Sequence, residues 1–255
     1  MADRVIDVSE FTGTIPYSWW ERLRDEHNVK GAVIQAWGGG PEAGRQNNYW
    51  SQQSEGARLA FGDGGIASYV WPPRDVGEAL VYMEAQSSSL MKLQRFIALD
   101  VEAGAGVTLE QVGLTRELGQ VPYIYASPNS WRTIMGNTTR FSHVPLWMAG
   151  YPQRFGYVHW TTIEKGEARY LPFGGWTSVH GWQFDGTTPY RNETLDLNVF
   201  RDGIFGGENV EDLLRIKQLM AVAGLFAEAH AAALMGKKMD ADVKGLIKWL
   251  LNQPN

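Results

Sequence analysis

Arg95-Phe-Ile-Ala-Leu-Asp-Val101, Thr108-Leu-Glu-Gln-Val-Gly-Leu-Thr-Arg-Glu-Leu118 and Val121-Pro-Tyr-Ile-Tyr-Ala126 follow one another in the chain, and their reading decides the fold. The outer two are apolar runs of strand length. The middle one is of helical length and opens on a threonine, whose hydroxyl suits a helix cap. Strand, helix and strand in so short a span make a βαβ unit, which brings its two strands together in parallel.

The same alternation runs back to the N-terminus. Arg4 to Val8 reads as a first strand, and Tyr17 to Glu26 as a helix with Pro16 at its first position. Val29 to Ala36 reads as a buried strand, followed by the breaker run Trp37-Gly-Gly-Gly-Pro41. Asn48 to Phe61 reads as a helix, Gly65 to Trp71 as a third strand and Asp75 to Leu93 as a single helix. Arg95 to Val101 and Val121 to Ala126 are then the fourth and fifth strands, and Ser127 to Met135 a short helix.

Beyond that point the alternation fails. Val144 to Tyr151, Val179 to Phe184 and Thr194 to Val199 read as strands, with no long helix between them. Pro152 to Thr177, rich in glycine and aromatics, reads as a long loop holding a hairpin. Five βα units followed by three strands with irregular connections describe an α/β barrel. The composition shifts after Gly207. Val210 to Met235 is rich in Ala and Leu, with Gly236 as its C-cap. Asp240 would cap a second helix, on which Val243, Leu246, Ile247, Leu250 and Leu251 form one apolar stripe. The expected organisation is a barrel over residues 1–206 and a small helical hairpin over 207–255, used for docking, self-association through residues 208–255 or wall binding.

Composition excludes several functions. The chain has 255 residues, of which 44% are hydrophobic and 20% charged, enough for a large core. Its net charge is -5 with no basic run, which disfavours nucleic acid as a partner. Without cysteine there is no disulfide, thiolate zinc site or cysteine nucleophile. The five histidines show no ligand spacing, so neither metal nor other cofactor is expected. Gly62-Asp-Gly-Gly65 lacks the Lys-Ser/Thr of a phosphate loop, and no Gly-x-Ser-x-Gly elbow is present. The N-terminus has no apolar stretch of signal-peptide length, and stable membrane insertion is not expected. A soluble cytosolic product is the expectation, one that needs release to reach any target outside the membrane.

Barrel enzymes carry their reactive groups at the C-terminal ends of the strands. Asp7 ends the first strand, Asp100 and Glu102 end the fourth at i, i+2 spacing, and Asp196 lies in the last, Thr194-Leu-Asp-Leu-Asn198. Taken singly, such an acid more often caps a helix or pairs with an arginine. Four of them after apolar runs, with little Lys or Arg nearby in sequence, point to a carboxylate site. Eleven tryptophans fit flat platforms for sugar rings, although core filling explains any single one.

Ile6-Asp-Val-Ser9, Ala98-Leu-Asp-Val-Glu102, Tyr123-Ile-Tyr-Ala-Ser127, Pro145-Leu-Trp-Met-Ala-Gly-Tyr151, Gly181-Trp-Gln-Phe184 and Leu195-Asp-Leu-Asn-Val-Phe200 occur in this order. The ordered set resembles the glycoside hydrolase family 25, or Chalaropsis-type, lysozymes common among phage endolysins. The resemblance runs from about Val5 to Phe200. It implies a TIM-like (β/α)5(β)3 barrel that cleaves the β-1,4 bond from N-acetylmuramic acid to N-acetylglucosamine in peptidoglycan, with retention and without a cofactor. Phage-mediated lysis of the bacterial wall is the implied setting.

Carried over, Glu102 would be the general acid/base and Asp100 its companion, with Asp7 and Asp196 as flanking acids. Tyr69, Tyr125, Trp147 and Trp182 would line the substrate groove. The chain departs from the family pattern at Gln35-Ala-Trp-Gly-Gly-Gly40 and in the enlarged 152–177 connection. A second reading is a virion or tail-associated structural protein that keeps the barrel and docks through its C-terminal helices.

Overall fold

The computed structural model describes residues 2–38, 45–71, 76–102, 104–152, 156–191 and 193–205. The helical hairpin expected over 207–255 lies outside the described residues.

The barrel strands are joined in ladder order. β1 (Asp3–Val8) pairs in parallel with β2 (Val29–Gly38), which carries a two-residue antiparallel partner, β3 (Arg45–Gln46). The parallel ladder continues through β4 (Ile66–Val70), β5 (Ile97–Val101), β6 (Pro122–Ala126), β7 (Leu146–Ala149) and β8 (Gly181–Tyr190). β9 (Glu193–Phe200) runs antiparallel to both β8 and β1 and closes the ring. Eight strands thus form a closed barrel, with β3 as an appendage to β2.

Helices α1 (Tyr17–His27), α2 (Trp50–Phe61), α3 (Val76–Gln86), α4 (Ser88–Leu93), α5 (Leu109–Glu117) and α6 (Pro128–Met135) lie between successive strands. Three details differ from the sequence expectation. Pro16 is the residue before α1, in an extended conformation, rather than its first helical position. The single helix expected over 75–93 is broken at Ser87, whose extended backbone and hydroxyl, accepting from the Leu90 N–H, start a new helix. The long connection after β7 contains α7 (Ile163–Tyr170), with an isolated bridge between Phe173 and Trp176 beyond it. Thr108 caps α5 as expected, in a capping box with Gln111.

Two layers of packing hold the barrel. Outward-facing Ile6, Ile34, Leu99, Ile124 and Leu197 meet the helices, where Trp19, Trp20 and Leu23 of α1 are buried. No helix separates β8 from β9, and the segment 156–162 takes over the covering role. Its Trp160 lies near Phe184 of β8 and under the Arg4 guanidinium of β1, 5.3 Å from the ring centre.

The interior is layered along the axis. At the N-terminal end of the parallel strands Phe96 stacks on Tyr123, 4.0 Å between ring centres, and on Phe200 at 5.6 Å. Gly181 makes this plug possible, since a methyl group there would collide with the Phe200 ring. Alternation then carries the chain from plug to mouth: Phe96, Ala98 and Asp100 share one face of their segment, as do Tyr123 and Tyr125, and Phe200, Asn198 and Asp196. The apolar end is sealed and the polar end is open. Among the described residues no helix is long and apolar enough to cross a membrane.

Candidate active site

The four acids singled out in the sequence meet at the C-terminal end of the parallel strands. Asp7 of β1 faces Asp196 of β9 directly across the antiparallel ladder. Asp100 is the penultimate residue of β5, and Glu102 follows the strand by one residue. Asp7 and Asp100 are buried, at 6% and 7% exposure, Asp196 is half-buried and Glu102 is exposed. The depth order follows from position, because Glu102 has left the ladder while the aspartates remain in it.

Two neutral amides organise the aspartates. Gln183 Nε2 donates to Asp7 Oδ2 at 2.9 Å and to Asp196 Oδ2 at 3.1 Å. Its Oε1 accepts from the Tyr125 hydroxyl at 2.5 Å and from the Tyr151 hydroxyl. Asn198 Nδ2 donates to Asp7 Oδ2 at 2.7 Å, while its Oδ1 accepts from the Trp147 indole at 2.8 Å. Asp196 Oδ1 accepts the backbone N–H of Thr187 at 2.6 Å. Asp100 Oδ1 is buried and makes no hydrogen bond.

Burial and crowding hold protons on this cluster. Desolvation pushes Asp7 well above the ordinary aspartate range and the Asp196 charge adds to it, with the Asn198 and Gln183 hydrogen bonds opposing. Asp100 is pushed well up by burial first, then by Glu102 and Asp7. Glu102 is raised by desolvation and then by Asp196, and a hydrogen bond with Tyr125 opposes the rise. Tyr69 on β4 marks the centre of the cluster. Burial raises its hydroxyl most, and all four acids, Asp7, Asp100, Asp196 and Glu102, raise it further.

The expected aromatics divide. Tyr69 and Tyr125 reach the acids. Trp147 lies beneath them at 1% exposure, its ring 4.5 Å from Tyr125 and 6.0 Å from Tyr69, as a floor rather than a groove wall. Trp182 does not line the mouth. It sits on the outer face of β8 at 2% exposure, sealed under α7 by Gly166 and Tyr170, with its indole donating to the Gly150 carbonyl. Strand alternation explains the correction, because Gln183 points inward and its neighbour must point out.

Gln183, Asn198 and Tyr151 do not stand out in the sequence, although all three belong to the quoted motifs. Tyr151 is 44% exposed and its ring comes beside Asp196 and Gly186, at the rim. No group of three or more His, Cys, Asp or Glu residues placed to hold a metal ion occurs among the described residues. Chemically the mouth offers one accessible, proton-retaining carboxyl (Glu102), one buried carboxylate oxygen without a partner (Asp100) and an anchored aspartate pair. Such a set suits acid–base cleavage of a neutral substrate.

No protein-family profile matches the chain. Counting factor 50 of Dictyostelium discoideum is 26% identical over 211 residues, covering 76% of this chain and 65% of that protein. Probable GH family 25 lysozyme 3 of the same organism is 30% identical over 84 residues, 33% of this chain and 16% of the relative. The chain thus spans less than two thirds of either relative. The solved structure of GHIP, a glycosyl hydrolase 25 of Streptococcus pneumoniae, superposes with a TM-score of 0.55 at 16% identity, covering 83% of this chain and 92% of that one. At that identity the likeness is one of fold: the barrel is the one seen in glycoside hydrolase family 25.

Proposed function

We propose that the chain is a family 25 peptidoglycan hydrolase, an N-acetylmuramidase with Glu102 as general acid/base. The observation that carries this reading is the convergence of Asp7, Asp100, Asp196 and Glu102 around Tyr69, with Glu102 alone exposed and raised in proton affinity. Glu102 gives its proton to the leaving glycosidic oxygen and then takes one from the incoming water. The charge developing at the anomeric carbon is met by the substrate's own 2-acetamido oxygen, which fits net retention. Asp100, beside Glu102 at the end of β5, accepts the acetamido N–H through the edge it leaves exposed and orients it. The Asp7–Asp196 pair supplies the negative field behind it.

The experiment is zymography on purified bacterial walls with wild type and Glu102→Gln, followed by mass spectrometry of the fragments. Wild type should release fragments ending in reducing N-acetylmuramic acid. The variant should fold and lose turnover by about 10²–10⁴-fold, the usual contribution of a general acid/base. Reducing ends of N-acetylglucosamine, or near-full activity in the variant, would refute the assignment.

A further inference from the structure

The chain turns sharply as it leaves the mouth end of β1, and the turn displays an aromatic ring instead of burying it. Glu10–Thr12 form one turn of 3-10 helix, started by Ser9, whose hydroxyl accepts the Phe11 N–H at 3.3 Å. Phe11, close behind Asp7 in the chain, is 81% exposed, more than any other large apolar side chain among the described residues. A single exposed apolar residue is ordinary. What sets this one apart is the buried hydrogen bonding that holds its turn in place.

Three amides hold it. Gln35 of β2 accepts the Glu10 N–H through Oε1 at 3.2 Å. Gln53 of α2, fully buried, donates through Nε2 to the Ser9 carbonyl at 3.1 Å and to the Gly13 carbonyl at 2.8 Å, so it clasps the turn at both ends. Asn47, also fully buried, donates to Gln53 Oε1 at 2.9 Å and to the Gln35 carbonyl at 2.6 Å. Asn47 directly follows β3, where Arg45 pairs its Nε with Glu10 Oε2 at 2.9 Å. The Glu10 side chain is nearly buried, and Arg45 is exposed. Phe11 and Arg45 thus stand on two segments locked to the same buried amides and to each other. Gln35 belongs to the stretch where the sequence departs from the family 25 pattern.

Both segments stand at the mouth. β1 and β2 run in parallel with Asp7 opposite Val33, so Trp37 and Gly38, which pair with Gln46 and Arg45, lie beyond the level of Asp7. An aromatic ring fixed in the open suits the apolar face of a sugar, and its rigidity cuts the ordering cost of binding. A guanidinium suits a carboxylate. The acids of the mouth repel an anionic peptide, and Arg45 supplies the opposite sign at their rim.

We propose that Phe11 and Arg45 form an outer subsite of the mouth: the Phe11 ring takes the face of a sugar in the glycan strand, and Arg45, oriented by Glu10, takes a carboxylate of the stem peptide that muramic acid carries. Together they make the enzyme prefer strands that still bear peptides. The choice of substrate rests on the muramidase reading.

The probes are two short soluble glycan strands, one bearing stem peptides and one stripped of them by an amidase. Each is titrated calorimetrically into the full chain carrying Glu102→Gln, so that neither is cut. Phe11→Ala in this parent should weaken both strands by about three- to tenfold, the worth of one aromatic contact, and Phe11→Trp should restore both. Arg45→Gln keeps a donor for Glu10 and removes the charge. It should weaken only the peptide-bearing strand, by about two- to fivefold at low salt, the worth of an exposed ion pair. High salt should erase that difference. Thermal melts should show Phe11→Ala as stable as the parent, because an exposed ring packs on little.

Parent-like binding in Phe11→Ala overturns the proposal, as does equal weakening of both strands by Arg45→Gln. Should Arg45→Gln not fold, Arg45→Lys decides: it keeps the charge and loses the planar fork, and must retain the preference for the peptide-bearing strand only in part. If binding follows expectation but wild type cleaves no wall, the muramidase reading fails and the subsite stands. If wild type cleaves walls and the variants bind like the parent, the reading stands and the subsite fails.

Discussion

Asp7 and Asp196 stand opposite each other in the β1–β9 ladder, and a single nitrogen, Gln183 Nε2, bridges their carboxylates. Like charges directly opposite in an antiparallel pair repel, so this arrangement works against the stability of the strand pairing. Its value lies in the field it projects. Asp196 is the main charge holding the Glu102 proton, second only to burial, and Asp100 and Glu102 are coupled to each other as well.

Asp196→Asn should therefore make Glu102 more acidic. The protonated form is the general acid, so the alkaline limb of the pH–rate profile moves to lower pH and turnover at neutral pH falls. Asp100→Asn, which removes an acid coupled to Glu102, should move that limb the same way and lower turnover as well. Steady-state profiles on solubilised glycan strands check both. A limb that stays in place with both variants would place the field elsewhere.

Asp100 also bears on stability. Its carboxyl is held well above the usual aspartate value of 3.8 by burial, then by Glu102 and Asp7, and its buried Oδ1 has no partner. A raised carboxyl favours folding in its neutral form. That contribution is fully present below pH 3.8 and is lost as the pH rises through the elevated folded value. Asp100→Asn removes the charge at nearly constant shape. It should raise Tm at pH 7 by several degrees, at about 2–4 °C per kcal/mol for a domain of this size, and change it little at pH 4. Calorimetry at the two pH values reads the difference. Equal effects at both would mean that the carboxyl titrates alike in the folded and unfolded chain.

Much of this is legible in the sequence, and the exceptions have physical reasons. The strands are visible because parallel barrel strands are continuous apolar runs, and the four acids because charge at the end of such a run is expensive. Gln183 and Asn198 are not visible as site residues. A neutral amide has no reaction of its own, and its importance lies in partners 176 and 191 residues away in sequence. Trp182 falls on the opposite face from the one expected because the mouth of the barrel reverses the usual rule: the inward residues of β8 are Gly181 and Gln183, while the outward ones are Trp182 and Phe184. The break at Ser87 is hidden because the apolar pattern of Leu80 to Met83 resumes at Leu90 and Met91, beyond the polar run Gln86-Ser-Ser-Ser89 whose first serine caps α4.

The α7 covering of β8 depends on one small residue. Gly166 is buried, and a methyl group in its place would collide with the Trp182 indole. Replacing a helical glycine by alanine ordinarily stabilises by about 0.5–1 kcal/mol. Overpacking a filled site costs about 1–3 kcal/mol, and here it should win. Gly166→Ala is thus expected to lower Tm while wall lysis at low temperature stays near wild type, because Trp182 faces away from the acids. An unchanged or higher Tm would show that α7 can lift off β8 without loss.

Thr187 is the strained residue of the mouth. Its φ is 60°, in the left-handed region that a β-branched residue enters only under constraint, and it lies where the β8–β9 register shifts between Asp185 and Thr188. The conformation aims its backbone N–H at Asp196 Oδ1, 2.6 Å away. Such strain costs about 1–3 kcal/mol and persists where the surroundings impose it. If the N–H is what the strain secures, the side chain is dispensable. Thr187→Gly keeps the N–H and adopts the same φ freely, against a glycine entropy cost of about 0.5–1 kcal/mol. It should keep Tm at or above wild type and wall-lysis rates within about twofold, since only the Thr187 hydroxyl bond to the Gly186 carbonyl is lost. Thr187→Pro has no N–H and a φ fixed near −65°. It should release Asp196, move the alkaline limb and lower turnover together. Thermal melts and pH–rate profiles on both variants decide the matter. A glycine variant as impaired as the proline one would put the function in the hydroxyl, and the N–H bond to Asp196 would no longer account for the strain.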